Sequence, residues 1–144
     1  SKLAKQHGAK SEFALCASQW HKTLTYKDKF FGDGIKYDKD FTKAYGYAPP
    51  YQAAESSAAL LVFKDAFERA NSFDTKKVRD ALAKTKMQTF YGNIKFGSGG
   101  QNTAKPMVLF QVMCKSGKCE NVVVAPTKWA AAELIHPIPP WSKR

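Results

Sequence analysis

The stretch that decides the fold runs from Tyr45 to Ala70 and reads YGYAPPYQAAESSAALLVFKDAFERA. The prolines Pro49 and Pro50 stop the preceding segment, and an unbroken run of good helix formers follows them. Pro50 suits the first turn of a helix, because the N–H that proline lacks needs no partner there. The stretch therefore predicts a helix of about 20 residues, roughly 30 Å long at 1.5 Å per residue. We expect its wide apolar face to be largely buried.

The start of this helix is polar for an element that is expected to be buried. Tyr51 and Glu55 are four residues apart and therefore share one face of the first turns, with Gln52 beside Tyr51. The free N–H groups and the positive dipole end of a first turn favour a carboxylate, and a glutamate one turn later accepts a hydrogen bond from an ammonium. This combination suits a zwitterionic ligand. The alternative is structural: Tyr51 packs on Pro49, and Glu55 favours the helix dipole.

Helical and strand patterns alternate on both sides of this stretch. We predict a short buried strand over Glu12–Ser18, a loop with packed aromatic residues over Gln19–Gly34, and a helix that is capped by Asp38 and stopped by Gly46. A second helix follows over Lys76–Lys84. Early alternation with a late antiparallel ribbon is typical of an α/β protein. The strands are too few to cover the helices, so the chain is interpreted as part of something larger.

The late ribbon is predicted from the runs MVLFQVMC and ENVVVAP, which end and begin next to Cys114 and Cys119. If Ser116 and Gly117 form a two-residue turn, the two cysteines face each other at a distance that permits a disulfide. Such a bond would indicate an oxidising compartment. Two reduced cysteines on an edge hairpin are the alternative. Cys16 lies within an apolar run and is predicted to be a buried free thiol.

The charge of the chain favours no particular partner. Its net charge is +11 over 144 residues, and the excess is spread as about +4, +3 and +4 over residues 1–46, 47–96 and 97–144. No run of five or six like charges occurs, so the excess favours a solvated surface over a nucleic-acid site. A basic nucleic-acid- or partner-binding module, complete in 144 residues, is the second hypothesis.

Several classes of site are not predicted. The glycine-rich segment GSGGQN lacks the spacing of a phosphate loop, and no helix follows it. The histidines are far apart in sequence, so we predict no metal site. No GxSxG motif and no nucleophile–base pair stands out, and we predict no cofactor and no catalytic residue. No apolar run reaches the roughly 18 residues of a membrane span. The chain begins without an initiator methionine or a hydrophobic region and is interpreted as a mature or truncated product.

A resemblance rests on six stretches that cover nearly the whole chain. Tyr37 and Phe41 precede the opening stretch at the spacing of a known family. The stretches, in order, are SEFALCASQWH, the opening stretch, VRDALAKT, TFYGNIKF, GGQNTAKPMVLFQV, and the closing pair VVVAP and HPIPPW. Together they resemble the C-terminal portion of a periplasmic substrate-binding protein of the branched-chain or hydrophobic amino-acid ABC importers, which have the type I binding-protein fold.

The resemblance implies two Rossmann-like α/β lobes, with the N-terminal portion absent from this chain and acting as its partner. Residues 1–20 would end the second lobe, and residues 21–46 would form a crossover and the helix leading to the first lobe. Residues 47–105 would form the first-lobe return segment. Residues 106–144 would supply the return strands, the hairpin and the C-terminal tail of the second lobe.

The resemblance also implies which side chains meet the ligand. Tyr51 matches the position where an aromatic residue of the first lobe contacts the ligand side chain, and Trp20 matches a tryptophan at the crossover near the cleft. Glu55 and Gln52 lie next to the cleft in the same alignment. Ser57 stands where relatives often have tyrosine, which bears on the size and polarity of the ligand.

The implied function is that of a periplasmic solute receptor. The lobes would close on a small amino acid or a related organic acid by a hinge motion, and the closed form would dock on a membrane ABC permease. No bond is made or broken in this function, so the resemblance predicts neither an enzyme nor a nucleic-acid partner.

Overall fold

A computed structural model describes residues 2–143. The chain divides into two compact units: the sheet unit is Ser1–Gln19 with Met107–Arg144, and the helical unit is Trp20–Pro106. The α-helices are α1 (Lys2–His7), α2 (Gly34–Tyr45), α3 (Tyr51–Ala70) and α4 (Thr75–Ala83). The strands are β1 (Leu15–Ser18), β2 (Lys27–Asp28), β3 (Gly32–Asp33), β4 (Lys86–Thr89), β5 (Gly92–Lys95), β6 (Val108–Lys115) and β7 (Lys118–Ala125). No helix within residues 2–143 is both long and apolar enough to cross a membrane.

The sheet unit is built on the hairpin that the sequence predicts. Its three strands pair antiparallel in the order β1–β6–β7, and Cys114 lies opposite Cys119. The two-residue turn has φ of +51° at Ser116 and +78° at Gly117, as a type I′ turn requires. The two cysteines are joined by a disulfide with an S–S distance of 2.09 Å. Pairing through a tight turn thus brings together cysteines only five residues apart in sequence.

Strand β1 differs from its prediction. It begins at Leu15, not at Glu12, because Glu12 and Phe13 form a turn in which Phe13 has φ of +65°. Within the described sheet β1 is an edge strand that pairs only with β6, and most of its side chains are exposed. Cys16 is therefore an exposed thiol, and the prediction that it is buried is wrong.

A buried amide joins three segments of the sheet unit. Gln111 on β6 is fully buried, with 0% of its surface exposed. Its Nε2 donates to the carbonyls of Phe13 and Ile135, both at 3.0 Å, and its Oε1 accepts from the N–H of Ile135 at 3.0 Å. The side chain thus satisfies backbone groups of the turn before β1 and of the C-terminal tail, groups that would be costly to bury alone.

The tail beyond β7 carries no α-helix in its described part. It contains two 3₁₀ turns, Thr127–Trp129 and Trp141–Lys143. Trp129 is buried in the first of them.

The helical unit begins with an aromatic core. The segment predicted as a loop contains the two-residue strands β2 and β3, which pair with each other. Asp28 fixes their turn, since one carboxylate oxygen accepts from the N–H groups of Phe30 and Phe31 and the other accepts from the N–H of Phe90 at 2.7 Å. Phe31 and Phe90 pack in one cluster with Trp20 and Tyr37, so the predicted packing of aromatic residues is confirmed for Trp20 and Phe31. Phe30 is exposed instead.

Helix α2 begins four residues before the predicted cap. Asp33 caps it, because its Oδ1 accepts from the N–H of Lys36 at 2.8 Å. Asp38 lies inside the helix and pairs with Lys22 at 2.9 Å, so the prediction that it caps the helix is wrong. Gly46 ends the helix as predicted, with φ of +77°.

Helix α3 has the predicted bounds but not the predicted burial. It runs from Tyr51, directly after Pro50, to Ala70. Its buried stripe is made mostly of small side chains: Ala54, Ala58, Leu61, Val62 and Ala66. Larger apolar residues lie outside this stripe, and Leu60 is 65% exposed. The prediction of a largely buried helix is therefore wrong for its outer face.

Helix α4 and the hairpin β4–β5 complete the unit. Asp74 caps α4 by accepting from the N–H of Lys77 at 2.9 Å, so the helix begins at Thr75, one residue before the prediction. Arg69 of α3 binds the far end of α4, donating to the carbonyl of Ala81 at 2.8 Å and to Oγ1 of Thr85 at 3.0 Å. The guanidinium thereby joins α3, the end of α4 and the residue before β4.

Candidate functional site

The first turns of α3 place the predicted site residues on the surface of the helical unit. Tyr51 opens the helix, and Gln52 and Glu55 follow within its first turns, all three of them exposed. Pro50 holds the chain extended before the helix and leaves the first-turn N–H groups without a side-chain cap. Within this set the structure therefore presents an aromatic ring, an amide and a carboxylate at one helix start.

Tyr91, in the turn between β4 and β5, lies beside this helix start. It is only 5% exposed. Burial is the main cause that raises the pKa of its phenol, and the Glu55 carboxylate and the Tyr51 phenol raise the pKa further. Tyr91 therefore stays protonated well into alkaline solution and presents a neutral hydroxyl beside Glu55.

Lys105 adds a positive charge to the same place. Its Nζ lies 4.4 Å from the centre of the Tyr91 ring, in a cation–π contact. Burial lowers the pKa of Lys105 to about 8, and the carboxylate of Glu55 acts in the opposite direction. We call Tyr51, Glu55, Tyr91 and Lys105 the tyrosine–lysine cluster. It combines two aromatic rings with one negative and one positive side chain.

A cavity of about 470 Å³ adjoins this cluster, because Glu55 and Tyr91 also form part of its wall. Its other lining residues are mostly apolar or small side chains of α3, α4 and the segment after β4. They are Ala58, Ala59, Val62, Phe63, Arg79, Leu82, Ala83, Ile94, Phe96, Gly97, Ser98, Gly100 and Asn102. The volume is in the range of pockets that hold small organic molecules.

Trp20 has a different environment from the other predicted site residues. It is buried in the aromatic core, where its ring contacts Tyr37 and Phe90 edge-on at 5.8 and 6.1 Å between centroids. Ser57 is also engaged there, since its hydroxyl is 2.9 Å from that of Tyr37. The serine thus joins α2 to α3 by a hydrogen bond. A contact between Trp20 and a ligand stays a prediction.

Sequence reasoning missed Tyr91 and Lys105. The signal that points to them is Gly92, a glycine inside the strand pattern FYGNIKF, since such glycines mark a close approach by another group. The approaching group could not be read from the pattern, because Lys105 is 13 residues further along the chain. Within residues 2–143 no cluster of His, Cys, Asp and Glu side chains is arranged to hold a metal ion.

Comparison with known proteins places the chain in a family. The model of the periplasmic binding protein family matches residues 14–118, which are most of the chain. A leucine-binding protein of Thermotoga maritima is 23% identical with a TM-score of 0.64, and the match covers 88% of this chain and 35% of that one. A periplasmic binding protein of Burkholderia mallei is 16% identical with a TM-score of 0.70, and that match covers 91% of this chain and 37% of the other.

A third structure, a solute-binding protein of an ABC transporter from R. palustris in complex with benzoate, is 18% identical with a TM-score of 0.60. That match covers 92% of this chain and 35% of the other. The chain thus spans little more than a third of the length of these solved relatives. The resemblance that the six sequence stretches carry is confirmed. The chain belongs to the periplasmic binding protein family, and its fold is that of part of a type I member.

Proposed function

We propose that the protein containing this chain is an extracytoplasmic solute receptor that captures a small amino acid or a related organic acid. The observation that carries the proposal is the family match over residues 14–118, because it includes parts of both compact units. The receptor delivers its ligand to an ABC permease. Binding and release are its whole task, so it is not an enzyme.

The ligand is held between two lobes that close by a hinge motion. In this proposal the helical unit belongs to the first lobe and the sheet unit to the second, with the rest of both lobes supplied by further chain. The Cys114–Cys119 disulfide supports an extracytoplasmic location, because such bonds persist in oxidising compartments such as the periplasm.

Tyr51 forms an aromatic wall for the ligand side chain in this proposal. Its support is its exposure at the first turn of α3, together with its place beside the charged Glu55 and the buried Tyr91. Glu55 accepts a hydrogen bond from the ammonium of an amino acid, and Gln52 contributes an amide at the same helix start. Trp20 supports the cleft from the aromatic core.

The test is calorimetry on the intact protein with a panel of amino acids, their amides and aromatic acids. We expect heat from at least one class and a loss of roughly ten-fold or more in affinity for Tyr51→Ala, since a buried aromatic contact contributes more than 1 kcal/mol. Tyr45→Ala is the matched control, because Tyr45 is an exposed tyrosine at the end of α2. It should leave the affinity unchanged.

Two results would contradict the proposal in different ways. If no member of the panel gives heat, the proposed class of ligand, a small amino acid or a related organic acid, is wrong. Unchanged affinity of Tyr51→Ala, with heat from the wild-type protein, leaves the receptor function standing and removes the assigned role of Tyr51.

A further inference from the structure

Lys105 differs from the other lysines of this chain in how deeply it lies. It is half-buried, whereas every other lysine whose side chain the structure describes is exposed. Taking an ammonium out of water costs free energy, which is why its pKa falls. An ionisable side chain whose pKa is shifted by burial, and which has a charged neighbour such as Glu55, is a candidate for a functional role.

The backbone at Gly92 makes room for this lysine. Gly92 has φ of +152°, a conformation that side chains other than glycine rarely adopt. A Cβ at this position would lie 2.2 Å from Cδ and 2.7 Å from Cε of Lys105. The stem of the lysine therefore crosses directly over the glycine backbone. This crossing places the Lys105 ammonium over the ring of Tyr91, the residue before Gly92.

Opposite charges then meet at the tyrosine–lysine cluster. The Glu55 carboxylate acts electrostatically on both Lys105 and Tyr91. Glu55 and Tyr91 also belong to the wall of the cavity of about 470 Å³, whose other lining is largely apolar. The ammonium, the carboxylate and the apolar wall match the three parts of a small amphoteric molecule with an apolar body.

We propose that Lys105 is a specificity-determining residue that binds the carboxylate of the ligand, while Glu55 binds its ammonium. The inference rests on the proposed receptor function and adds to it the residue that selects ligands with a free carboxylate. Amino acids engage both charges, and simple organic acids engage Lys105 alone. Amides of the same compounds lose the contact with Lys105.

A purely structural role for Lys105 predicts different behaviour. In that role the stem of Lys105 packs on Gly92 and Tyr91 and holds the segment before Pro106 in place. Removal of the lysine then lowers stability and weakens all ligands by a similar factor. A carboxylate contact instead makes the loss depend on whether the probe carries a carboxylate, whatever happens to stability.

The experiment measures the affinities of four probes for the intact protein by calorimetry: L-leucine, L-leucinamide, isovalerate and benzoate. In Lys105→Met, which keeps much of the apolar stem, we expect roughly ten-fold to hundred-fold weaker binding of those carboxylate probes that the wild-type protein binds. L-leucinamide, which lacks the carboxylate, should change by less than about three-fold. In Glu55→Gln the loss should fall on leucine and leucinamide and spare the two acids.

Two further variants separate charge from position. Lys95→Met is the matched control. Lys95 is an exposed lysine at the end of strand β5, which begins at Gly92, and its loss lowers the net charge by the same amount. It should leave all four affinities unchanged. Lys105→Arg keeps the positive charge and should retain more carboxylate affinity than Lys105→Met. The thermal midpoint of each variant reports whether it is folded.

The outcomes separate the role of Lys105 from the proposed receptor function. If the wild-type protein binds carboxylate probes and folded Lys105→Met binds them equally well, the role of Lys105 is overturned and the receptor function stands. A uniform loss over all probes, with no recovery in Lys105→Arg, also overturns it in favour of the structural role. If the wild-type protein binds none of the four probes, the ligand class is overturned and this inference with it.

Discussion

In the sheet unit the side chain that joins distant segments is a neutral amide, Gln111, and in the helical unit it is a guanidinium, Arg69. Gln111 is fully enclosed and makes three hydrogen bonds to backbone groups. Arg69 leaves 36% of its side chain exposed and divides its bonds between α4, Thr85 and the carboxylate of Asp65. Water does not reach the Gln111 side chain, whereas it does reach part of the Arg69 side chain.

The difference shows where each unit tolerates change. When a buried partner is removed, the groups left behind bear the full cost of desolvation, about 1–3 kcal/mol each. At a half-exposed position water replaces much of what is lost, and exposed ion pairs contribute about 0–1 kcal/mol. We therefore expect stability to depend more on Gln111 than on Arg69, although Arg69 makes more bonds and is charged.

The largest effect is expected from Gln111→Ala. The substitution leaves the carbonyl of Phe13 and both backbone groups of Ile135 without their partner, so we expect the free energy of unfolding to fall by about 3 kcal/mol. Urea denaturation of the intact protein measures this loss, and hydrogen exchange should become faster at the amide of Ile135. Gln101→Ala, at an exposed glutamine, is the control and should cost less than about 0.5 kcal/mol. A loss below about 1 kcal/mol for Gln111→Ala would show that water enters the site and replaces the amide.

A smaller loss, about 1–2 kcal/mol, is expected from Arg69→Ala. The carbonyl of Ala81 and the hydroxyl of Thr85 belong to buried residues and lose a donor, but the Arg69 side chain is itself 36% exposed, so water reaches the space that it leaves. The same denaturation experiment measures the effect, with Lys76→Ala as the control because Lys76 forms an exposed ion pair with Asp80. If Arg69→Ala costs more than Gln111→Ala, burial does not rank these two side chains and the comparison between the units fails.

The third prediction concerns Lys105 and depends on pH. The folded-state pKa of Lys105 is lowered to about 8 from the ordinary 10.5, so between these values the unfolded chain binds a proton that the folded chain does not. Stability should therefore rise with pH across this window, since the penalty for burying the charge disappears as the folded lysine loses its proton. The neighbouring Glu55 keeps the window from lying lower, because its carboxylate favours the charged lysine.

The thermal midpoints of the wild-type protein and of Lys105→Met, compared between pH 7 and pH 10, measure this effect. The advantage of the methionine variant over the wild-type protein should be present at pH 7 and shrink above pH 8. The buried Tyr91, whose pKa is raised, acts in the opposite direction only above its ordinary value of 10. A constant difference between the two proteins over this range would mean that Lys105 titrates normally in the folded state.

Local signals predicted much of the fold. The bounds of α3 followed from Pro50 and a run of helix formers, and the β6–β7 hairpin that places Cys114 opposite Cys119 followed from Ser116-Gly117. Each of these features depends on contacts between residues close in sequence. Cys16 and the cap of α2 were predicted wrongly, because the exposure of Cys16 and the pairing of Asp38 with Lys22 depend on contacts with other segments.

The candidate site divides in the same way. The helix start with Tyr51, Gln52 and Glu55 could be predicted, since all three lie in one short stretch next to a proline. Tyr91 and Lys105 could not, because Tyr91 is 36 residues from Glu55 and Lys105 is 50 residues from it. Nothing in the sequence on either side of Lys105 distinguishes it from the exposed lysines of the chain.

The sequence by itself determined helix α3 and the β6–β7 hairpin, because prolines, glycines and apolar periodicity act over a few residues. The family followed from the resemblance of six stretches of the sequence. Tertiary structure alone decided which side chains were buried: the buried stripe of α3 is mostly small, and Leu60 is left exposed. It also carried Lys105 across Gly92 to Tyr91. Such contacts join residues that are far apart in sequence, and the local sequence pattern of one residue does not show which distant residue will pack against it.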